Sequence, residues 1–470
     1  MWRYLLGLAA MLLPVAAAQA GSGTLAITGG TLIDVRNFGR SARDIPDAVV
    51  VVRDGKIVAA GPSSRVRVPR DAKRIDAGGR YIVPGLIDGF GTLRSQGFAN
   101  AHLYHGVTTV YQPDITGRDQ RRGKALLTAR PSPRLFAGAS ITGYDVDPGY
   151  YRNLGELRRS GVRLTETQLK AAVHAAKTSG ARAIWIGYPT WPDQVAIIAR
   201  EARKVGLPTI GEFGFASYDD GLRAGVSTFV HTSRYFADFA PTAAREAYAL
   251  APFDRAAVQP VSDAQRLLDP ASPRVEAYGK ALAASRSSLL PTLALGVQGY
   301  TPWLAANPWD DPVAPMILPS ELHLPVDPVT KMNERTRTQS EAERRLTAEW
   351  LANLHRLDAR MKRGGARFLA GSGTSAFGVL PGVGLHMELK LLTDIGLTPR
   401  EALAAATSNY GSIYGWRDVG LIEPGRFADI LILATDPRRN VAALDDIATL
   451  LVGGEEIDRA ALLRWRPPKE

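Results

Sequence analysis

The sequence predicts an α/β chain, a closed parallel (β/α)8 TIM barrel with a small β-rich unit assembled from both chain ends. Two patterns and the composition point there. Eight short apolar segments recur between residues 84 and 416, separated by stretches of helical periodicity. Before and after that region the chain switches to strand-like runs bounded by glycine turns. With 470 residues, of which 45% are hydrophobic and 22% charged, there is ample material for one large core. An open doubly wound sheet is the alternative arrangement of the same alternation.

Residues 1–20, "MWRYLLGLAAMLLPVAAAQA", read as a secretory signal. Arg3 supplies a positive start, a short apolar run follows, and Ala18-Gln19-Ala20 offers a small-residue cleavage site. The run is too short to span a bilayer, and no other segment approaches the ~20 apolar residues that a transmembrane helix needs. The expectation is a periplasmic or secreted protein cleaved after Ala20.

From residue 21 to 83 the pattern is β. "TLAITGGTLID" leads into "AVVVVRDGKIVAAG", where Asp54-Gly55 supplies the positive φ of a tight hairpin. "RIDAGGRYIVPG" predicts a second hairpin at Gly78-Gly79, so this part reads as a small antiparallel sheet. Residues 84–416 then carry the barrel strands "GLIDGF", "GVTTVYQ", "RLFAGASI", "ARAIWIGY", "PTIGEFG", "STFVHTS", "SLLPTLAL" and "ARFLAGSG". Capping boxes at Thr165–Gln168 and Thr398–Glu401 start two of the intervening helices, the second with Pro399 at its first position. Gly206 stops a third. The proline-rich stretch "ANPWDDPVAPMILPSELHLPVDPVTKMN" predicts a long irregular loop, a lid or binding loop by its length. Residues 417–470, with "FADILILA" and "IATLLVGGEEID", rejoin the first sheet as one composite domain.

Composition excludes several classes of function. The chain has no cysteine, which removes disulfides, thiolate catalysis and cysteine-zinc sites. The formal charge of +11 is spread out, and the densest basic clusters lack the aromatic residues that stack on bases, so no nucleic-acid partner is expected. No serine stands in a G-x-S-x-G elbow.

The motifs "GGTLID", "VVRDGKIVAAG", "IDAGGRYIVPGLID", "HGVTTV", "AGVSTFVHTS", "LTPREALAAATSNYGSIYG" and "VGLIEPGRFADILILATDP" occur in order along nearly the whole chain. Together they resemble the amidohydrolase superfamily, in particular its imidazolonepropionase-like and exported dipeptidase-like branch. The resemblance implies a (β/α)8 barrel with a composite β-sandwich, and hydrolysis of amide, lactam or related bonds at the C-terminal mouth of the barrel. It also implies divalent metals, held by two histidines after strand 1, often a carboxylated lysine on strand 4, one histidine each on strands 5 and 6, and an aspartate on strand 8.

Position by position this chain departs from that pattern. Asp88 remains on strand 1, but Phe90 and Thr92 stand at the two histidine positions. Trp185 takes the lysine position, Glu212 the strand-5 histidine, and Ser372 and Gly373 the strand-8 Thr-Asp pair. His231 alone is kept. Glu212 and His231 are therefore the candidate acid/base pair, Phe90, Thr92, Trp185 and Ser372 the candidate pocket, and no metal or other cofactor is expected. Among the other histidines, His102 and His105 fall before strand 2, at the end of the barrel away from the mouth. His323 in the proline-rich loop and His386 after strand 8 have positions compatible with a pocket.

Two functions stay open. One is an exported protein with a dismantled metal site, non-catalytic for metal-dependent hydrolysis, that binds a small-molecule ligand or partners an intact amidohydrolase relative; a homo-oligomer is equally compatible. The other is an active hydrolase or lyase on C–N or cyclic substrates, using Glu212 and His231 or a metal site not evident in the sequence.

Overall fold

The computed structural model describes residues 23–113, 130–146, 153–302, 307–323, 326–327 and 330–467. The signal-like segment 1–20 and most of the basic cluster after residue 116 lie outside the described residues.

Two eight-stranded sheets organise the chain. The first is mixed and holds β1 (Thr24–Leu32), β2 (Ile45–Arg53), β3 (Lys56–Pro62), β4 (Lys73–Asp76) and β5 (Tyr81–Pro84). The second is parallel and runs in chain order through β6 (Leu86–Asp88), β7 (Val107–Gln112), β8 (Arg134–Ile141), β9 (Ala183–Ile186), β10 (Thr209–Gly211), β11 (Thr228–Val230), β12 (Ser288–Leu290) and β13 (Arg367–Phe368). These eight strands occupy the eight predicted segments. The chain then returns to the mixed sheet with β14 (Ile430–Leu433), β15 (Ile447–Val452) and β16 (Glu455–Glu456).

The parallel sheet is TIM-barrel-like. Its first and last strands approach each other beyond their ends, where Gly89 N donates to Ala370 O at 3.2 Å and Gly373 N donates to Phe90 O at 2.8 Å. Asp88 reinforces this seam. Its fully buried carboxylate accepts from Ser372 N (2.9 Å), Ser372 Oγ (2.6 Å) and Phe90 N (3.3 Å). An acid at the end of β6 is thus used to tie the last strand to the first. Gly89 is required here, because a Cβ would lie 1.5 Å from Tyr410 Oη.

Inward-facing side chains fill the interior, among them Ile87, Tyr111, Phe136, Trp185, Ile210 and Leu290. The segment after β13 contributes Tyr410 and Trp416, whose rings stack at 5.1 Å. Trp416 Nε1 donates to Arg182 O just before β9, which places this aromatic plug at the N-terminal end of the strands. Among the described residues the barrel is therefore packed from below.

The mixed sheet follows the order β16-β15-β14-β5-β1-β2-β3, with β4 also paired to β1, so both ends of the chain build it. Asp54 (φ 48°) and Gly55 (φ 75°) form the predicted two-residue turn between β2 and β3. The second expected hairpin is corrected. β4 and β5 both pair in parallel with β1, along Leu25–Thr28 and Thr31–Leu32 respectively, and not with each other. The Gly78-Gly79 turn shifts the chain along its neighbour instead of reversing it, and the sheet is mixed rather than antiparallel. Beyond β3 the sheet curls back, with Ile57 N donating to Arg426 O (2.9 Å) and Gly425 N to Ile57 O (2.8 Å). It encloses a second core of Ile27, Val50, Ile82, Ile430 and Leu451.

One buried ion pair joins the sheets. Arg134, at the start of β8, grips Asp429 in two hydrogen bonds of 2.8 and 3.1 Å, and Asp429 also accepts from Gly453 N at 2.7 Å. Phe427 lies under the guanidinium, 3.6 Å from it. The capping boxes at Thr165 and Thr398 form as read from the sequence, and Gly206 follows the helix Pro192–Lys204 with φ 70°. The proline-rich loop contains three short 3-10 turns, and Val313, Met316 and Ile317 pack it against the helix Gln96–Tyr104. Among the described residues no helix is long and apolar enough to cross a membrane.

Candidate functional site

The C-terminal ends of the barrel strands open into a cavity of about 800 Å³. Phe90 and Thr92 enter it from the loop after β6, Trp185 from β9, Glu212 from the residue after β10, and His231 from the residue after β11. All five stand where the resemblance implies metal ligands in relatives, and all five line this cavity. Ser372 does not join them. It is fully buried, and its hydroxyl serves Asp88 beneath the floor, so the neighbouring Gly373 and Thr374 form the wall at that strand.

Glu212 is buried and faces two nitrogen-bearing side chains. Arg234 Nε lies 3.3 Å from Oε1, and His231 Nε2 lies 3.7 Å from Oε2. Arg234 stands on the single helical turn Thr232–Tyr235 that follows β11. Its guanidinium donates to Tyr248 Oη at 2.7 Å and rests 4.9 Å from the Tyr188 ring and 5.1 Å from the Tyr248 ring. Nothing in the sequence singled it out. Its role comes from crossing to a neighbouring strand, and only its place three residues after His231 could have hinted at it.

His231 is held by an unusual backbone. Both it (φ 65°) and its partner Thr292 (φ 50°) take positive φ, a conformation that costs a residue with a side chain on the order of 1–3 kcal/mol. Backbone bonds from His231 N to Leu290 O (3.1 Å) and Thr232 N to Pro291 O (3.1 Å) hold this end of β11 against β12. His231 Nδ1 meets Thr292 Oγ1 at 2.8 Å, while the Thr292 hydroxyl donates to Pro291 O at 2.7 Å. With that proton already committed, Thr292 accepts from Nδ1–H, and Nε2 carries a lone pair. Burial holds the imidazole down at about 4, opposed by Glu212 and reinforced by Arg234. Nε2 and Glu212 Oε2 therefore face each other 3.7 Å apart beside the cavity, close enough to share one donor that approaches from the side.

The rest of the wall is aromatic and basic. Phe90 meets His231 edge to face at 5.0 Å and Trp185 at 6.3 Å. Trp185 Nε1 and Thr92 Oγ1 are buried with no hydrogen-bond partner among the described residues. Arg94 and Arg335 add two guanidinium groups that make no ion pair among the described residues. His323 reaches the cavity from the proline-rich loop. Among the described residues, no three His, Asp or Glu side chains in the mouth bring ligand atoms close enough to share an ion.

The remaining histidines separate. His102 is fully buried in the helix Gln96–Tyr104 and its Nε2 donates to Thr92 O at 3.1 Å. His105 and His386 pack together at the other end of the barrel. His355, on the helix Glu341–Arg363, is half-buried, with Nε2 lacking a partner among the described residues and burial lowering it to about 4.

Residues 353–457, which run from the helix before β13 through β16, match the amidohydrolase family. Over this segment the chain is similar to that family. Its relatives include an adenine deaminase of Paracoccus denitrificans (strain Pd 1222), 37% identical over 205 residues that make up 36% of this chain and 34% of that protein. An imidazolonepropionase of Acidiphilium cryptum (strain JF-5) is 29% identical over 196 residues, covering 38% and 46%. The matched regions thus span about a third to a half of these relatives. Among solved structures, bottromycin amidohydrolase superposes with a TM-score of 0.67 at 20% identity, over 97% of this chain and 91% of that one. Molinate hydrolase gives 0.60 at 16% identity, over 96% and 98%. These structural likenesses show that the chain shares its fold with those proteins over nearly its whole length.

Proposed function

We propose that this amidohydrolase-fold chain binds a small planar N–H heterocycle bearing an acidic arm in its barrel mouth, and does so without a metal. The observation that carries this reading is the facing pair of acceptors, His231 Nε2 and Glu212 Oε2 at 3.7 Å, open to the cavity. A ligand N–H that approaches from the cavity can be shared by both in a three-centre hydrogen bond. Phe90 and Trp185 offer apolar surface to a ring, and Arg94 and Arg335 offer charge to a carboxylate. The names of the relatives, adenine deaminase and imidazolonepropionase, support a nitrogen heterocycle.

The family's divalent metals do not fit the residues present. Of the expected donors only His231 remains, with Glu212 as an oxygen donor in place of a histidine, and that carboxylate already has Arg234 beside it. A catalytic zinc takes three protein ligands and a water. Phe90 has no donor, and Trp185 places a large ring where relatives hold a bridging anion. The guanidinium supplies next to Glu212 the positive charge that an ion would otherwise bring.

Calorimetry with imidazole-4-propionate as probe tests the proposal. Binding by the wild-type chain is expected, weakened tenfold or more by His231→Ala and by Glu212→Gln. No binding at millimolar probe, or an affinity indifferent to both changes, overturns it. So does release of ammonia from adenine that a chelator abolishes and zinc restores.

A second reading rests on the same lone pair. With Nδ1 committed to Thr292, His231 Nε2 is placed as a general base for hydrolysis or ring opening without a metal. Turnover of a lactam or N-acyl amino acid that survives chelation and is lost in His231→Ala favours it over binding alone.

We also propose export, on the strength of the signal-like residues 1–20. N-terminal sequencing of the protein from a periplasmic or secreted fraction is expected to begin at Gly21. The curl of the mixed sheet around its own core supports reading it as the family's composite sandwich.

A further inference from the structure

At the end of the barrel opposite the mouth, two histidines and two aspartates meet from four separate segments. His105 caps the helix Gln96–Tyr104 just before β7, and His386 lies in the first turn of the helix Val383–Asp394. Asp445 ends the 3-10 turn Val441–Asp445, and Asp311 comes from the proline-rich loop. The two imidazoles pack at 4.9 Å with their planes 71° apart. One ligand atom from each of His105, His386 and Asp445 lies within 4.8 Å of the others.

The hydrogen bonds around His386 are informative. Nε2 faces the His105 carbonyl at 2.7 Å and must donate to it. Nδ1 faces Asp445 Oδ1 at 2.6 Å. If the ring is neutral its one proton sits on Nε2, so the Nδ1 lone pair points directly at a carboxylate. A proton bridges this 2.6 Å contact, and a metal ion would take its place only as the exposed Asp445 carboxylate swings outward. A backbone carbonyl that orients the far ring nitrogen is what metal-bound histidines require. His105 Nε2 has a carboxylate of its own, Asp311 Oδ1 at 3.3 Å. Two neutral imidazoles and two carboxylates sum to a charge that one divalent ion cancels. The neighbouring cation, Arg459, is committed to the carbonyls of Tyr104 (2.9 Å) and Ile447 (2.7 Å).

The close approach is built in. Gly382 caps the helix that carries His386 with φ 76°, and a Cβ there would lie 2.5 Å from Ala101 O and 2.8 Å from His105 Cδ2. Asp445 is 65% exposed, so the site is reachable and its carboxylate can move to tighten around an ion.

We propose that His105, His386 and Asp445 form a structural site for a zinc-class divalent cation, with the Asp311 carboxylate next to His105. Imidazole nitrogens and carboxylate oxygens in this number suit zinc or cobalt(II) better than magnesium or calcium, which prefer all-oxygen shells. The ion would staple the 441–445 turn to the floor of the barrel. It is separate from the mouth, where the donor set is too small, and it stands or falls independently of the ligand proposed there.

The test is titration of zinc chloride into the chelator-treated full-length chain by calorimetry. One equivalent is expected to bind and to displace the proton between His386 and Asp445, so the heat should vary with the ionisation enthalpy of the buffer. Asp445→Asn, an exposed and nearly isosteric change that preserves folding, and His386→Gln should each weaken zinc at least tenfold. His231→Ala should leave it unchanged. Cobalt(II) should give visible bands of four-coordinate intensity that vanish in Asp445→Asn. Absence of stoichiometric binding, or zinc affinity that survives both rim variants, overturns the site and assigns the cluster to a proton-bridged ion pair. Zinc lost in His231→Ala but kept in Asp445→Asn overturns it too, and with it the metal-free reading of the mouth.

Discussion

The two ends of the barrel hold similar groups in opposite states. At the mouth, Glu212 stands 3.3 Å from Arg234 and 3.7 Å from His231, and all three line the cavity. At the floor, Arg134 and Asp429 are in bidentate contact and almost fully buried, with a ring against the guanidinium. Charge at the floor is spent on joining two sheets. At the mouth, part of the hydrogen-bonding capacity is left for something that enters. Two neighbouring residues in positive φ, His231 and Thr292, maintain that arrangement against local preference, as expected where a side chain is positioned for a ligand rather than for packing.

The sharpest way to break this contrast is to cut the floor. Arg134→Ala leaves Asp429 buried without its partner, and chemical denaturation should show a loss of about 3–5 kcal/mol. A loss under about 1 kcal/mol would mean that the floor pair is no more structural than the mouth.

A pH titration sharpens the comparison next. Since the His231 imidazole is lowered from 6.5 to about 4 in the folded chain, the unfolded chain takes up its proton first as pH falls. Stability from this group is full above about pH 6.5 and declines as pH drops toward 4, by up to about 3 kcal/mol. Denaturation at pH 7 and pH 4.5 should show a smaller acid-induced loss in His231→Asn than in the wild type. Equal losses would mean that the ring is not buried neutral.

The smallest of the three effects is expected from Arg234→Met. Glu212 loses its guanidinium but keeps access to water through the cavity, so destabilisation should stay near 1–3 kcal/mol, below that of Arg134→Ala. A cost equal to or above the floor variant would erase the distinction between the two ends.

Much of the fold was legible in the sequence because it depends on local pattern. The eight barrel strands, the Asp54-Gly55 turn and the capping boxes at Thr165 and Thr398 follow from apolar runs, positive-φ dipeptides and side-chain caps. The Gly78-Gly79 turn misled because a two-glycine turn permits both a reversal and a sideways step. Which of these occurs depends on β1, some fifty residues upstream, offering length enough for both β4 and β5. In the site, Glu212 and His231 were legible from their places at strand ends. Arg234 was not, since its meaning lies in reaching Glu212 across a strand boundary. Ser372 was placed in the pocket by its register, but a hydroxyl beside a buried acid is drawn to that acid, and it became the Asp88 tether.

The sequence by itself determined the alternation of strands and helices, the return of the chain to its first sheet, and which residue types stand at the strand ends. Those features rest on periodicity and on steric rules acting over a few residues. Only the tertiary structure decided which nitrogen of His231 holds the proton, which cation stands beside Glu212, and that His105, His386 and Asp445 meet at all. These depend on distances of a few ångströms between segments far apart in the chain, which no local pattern encodes.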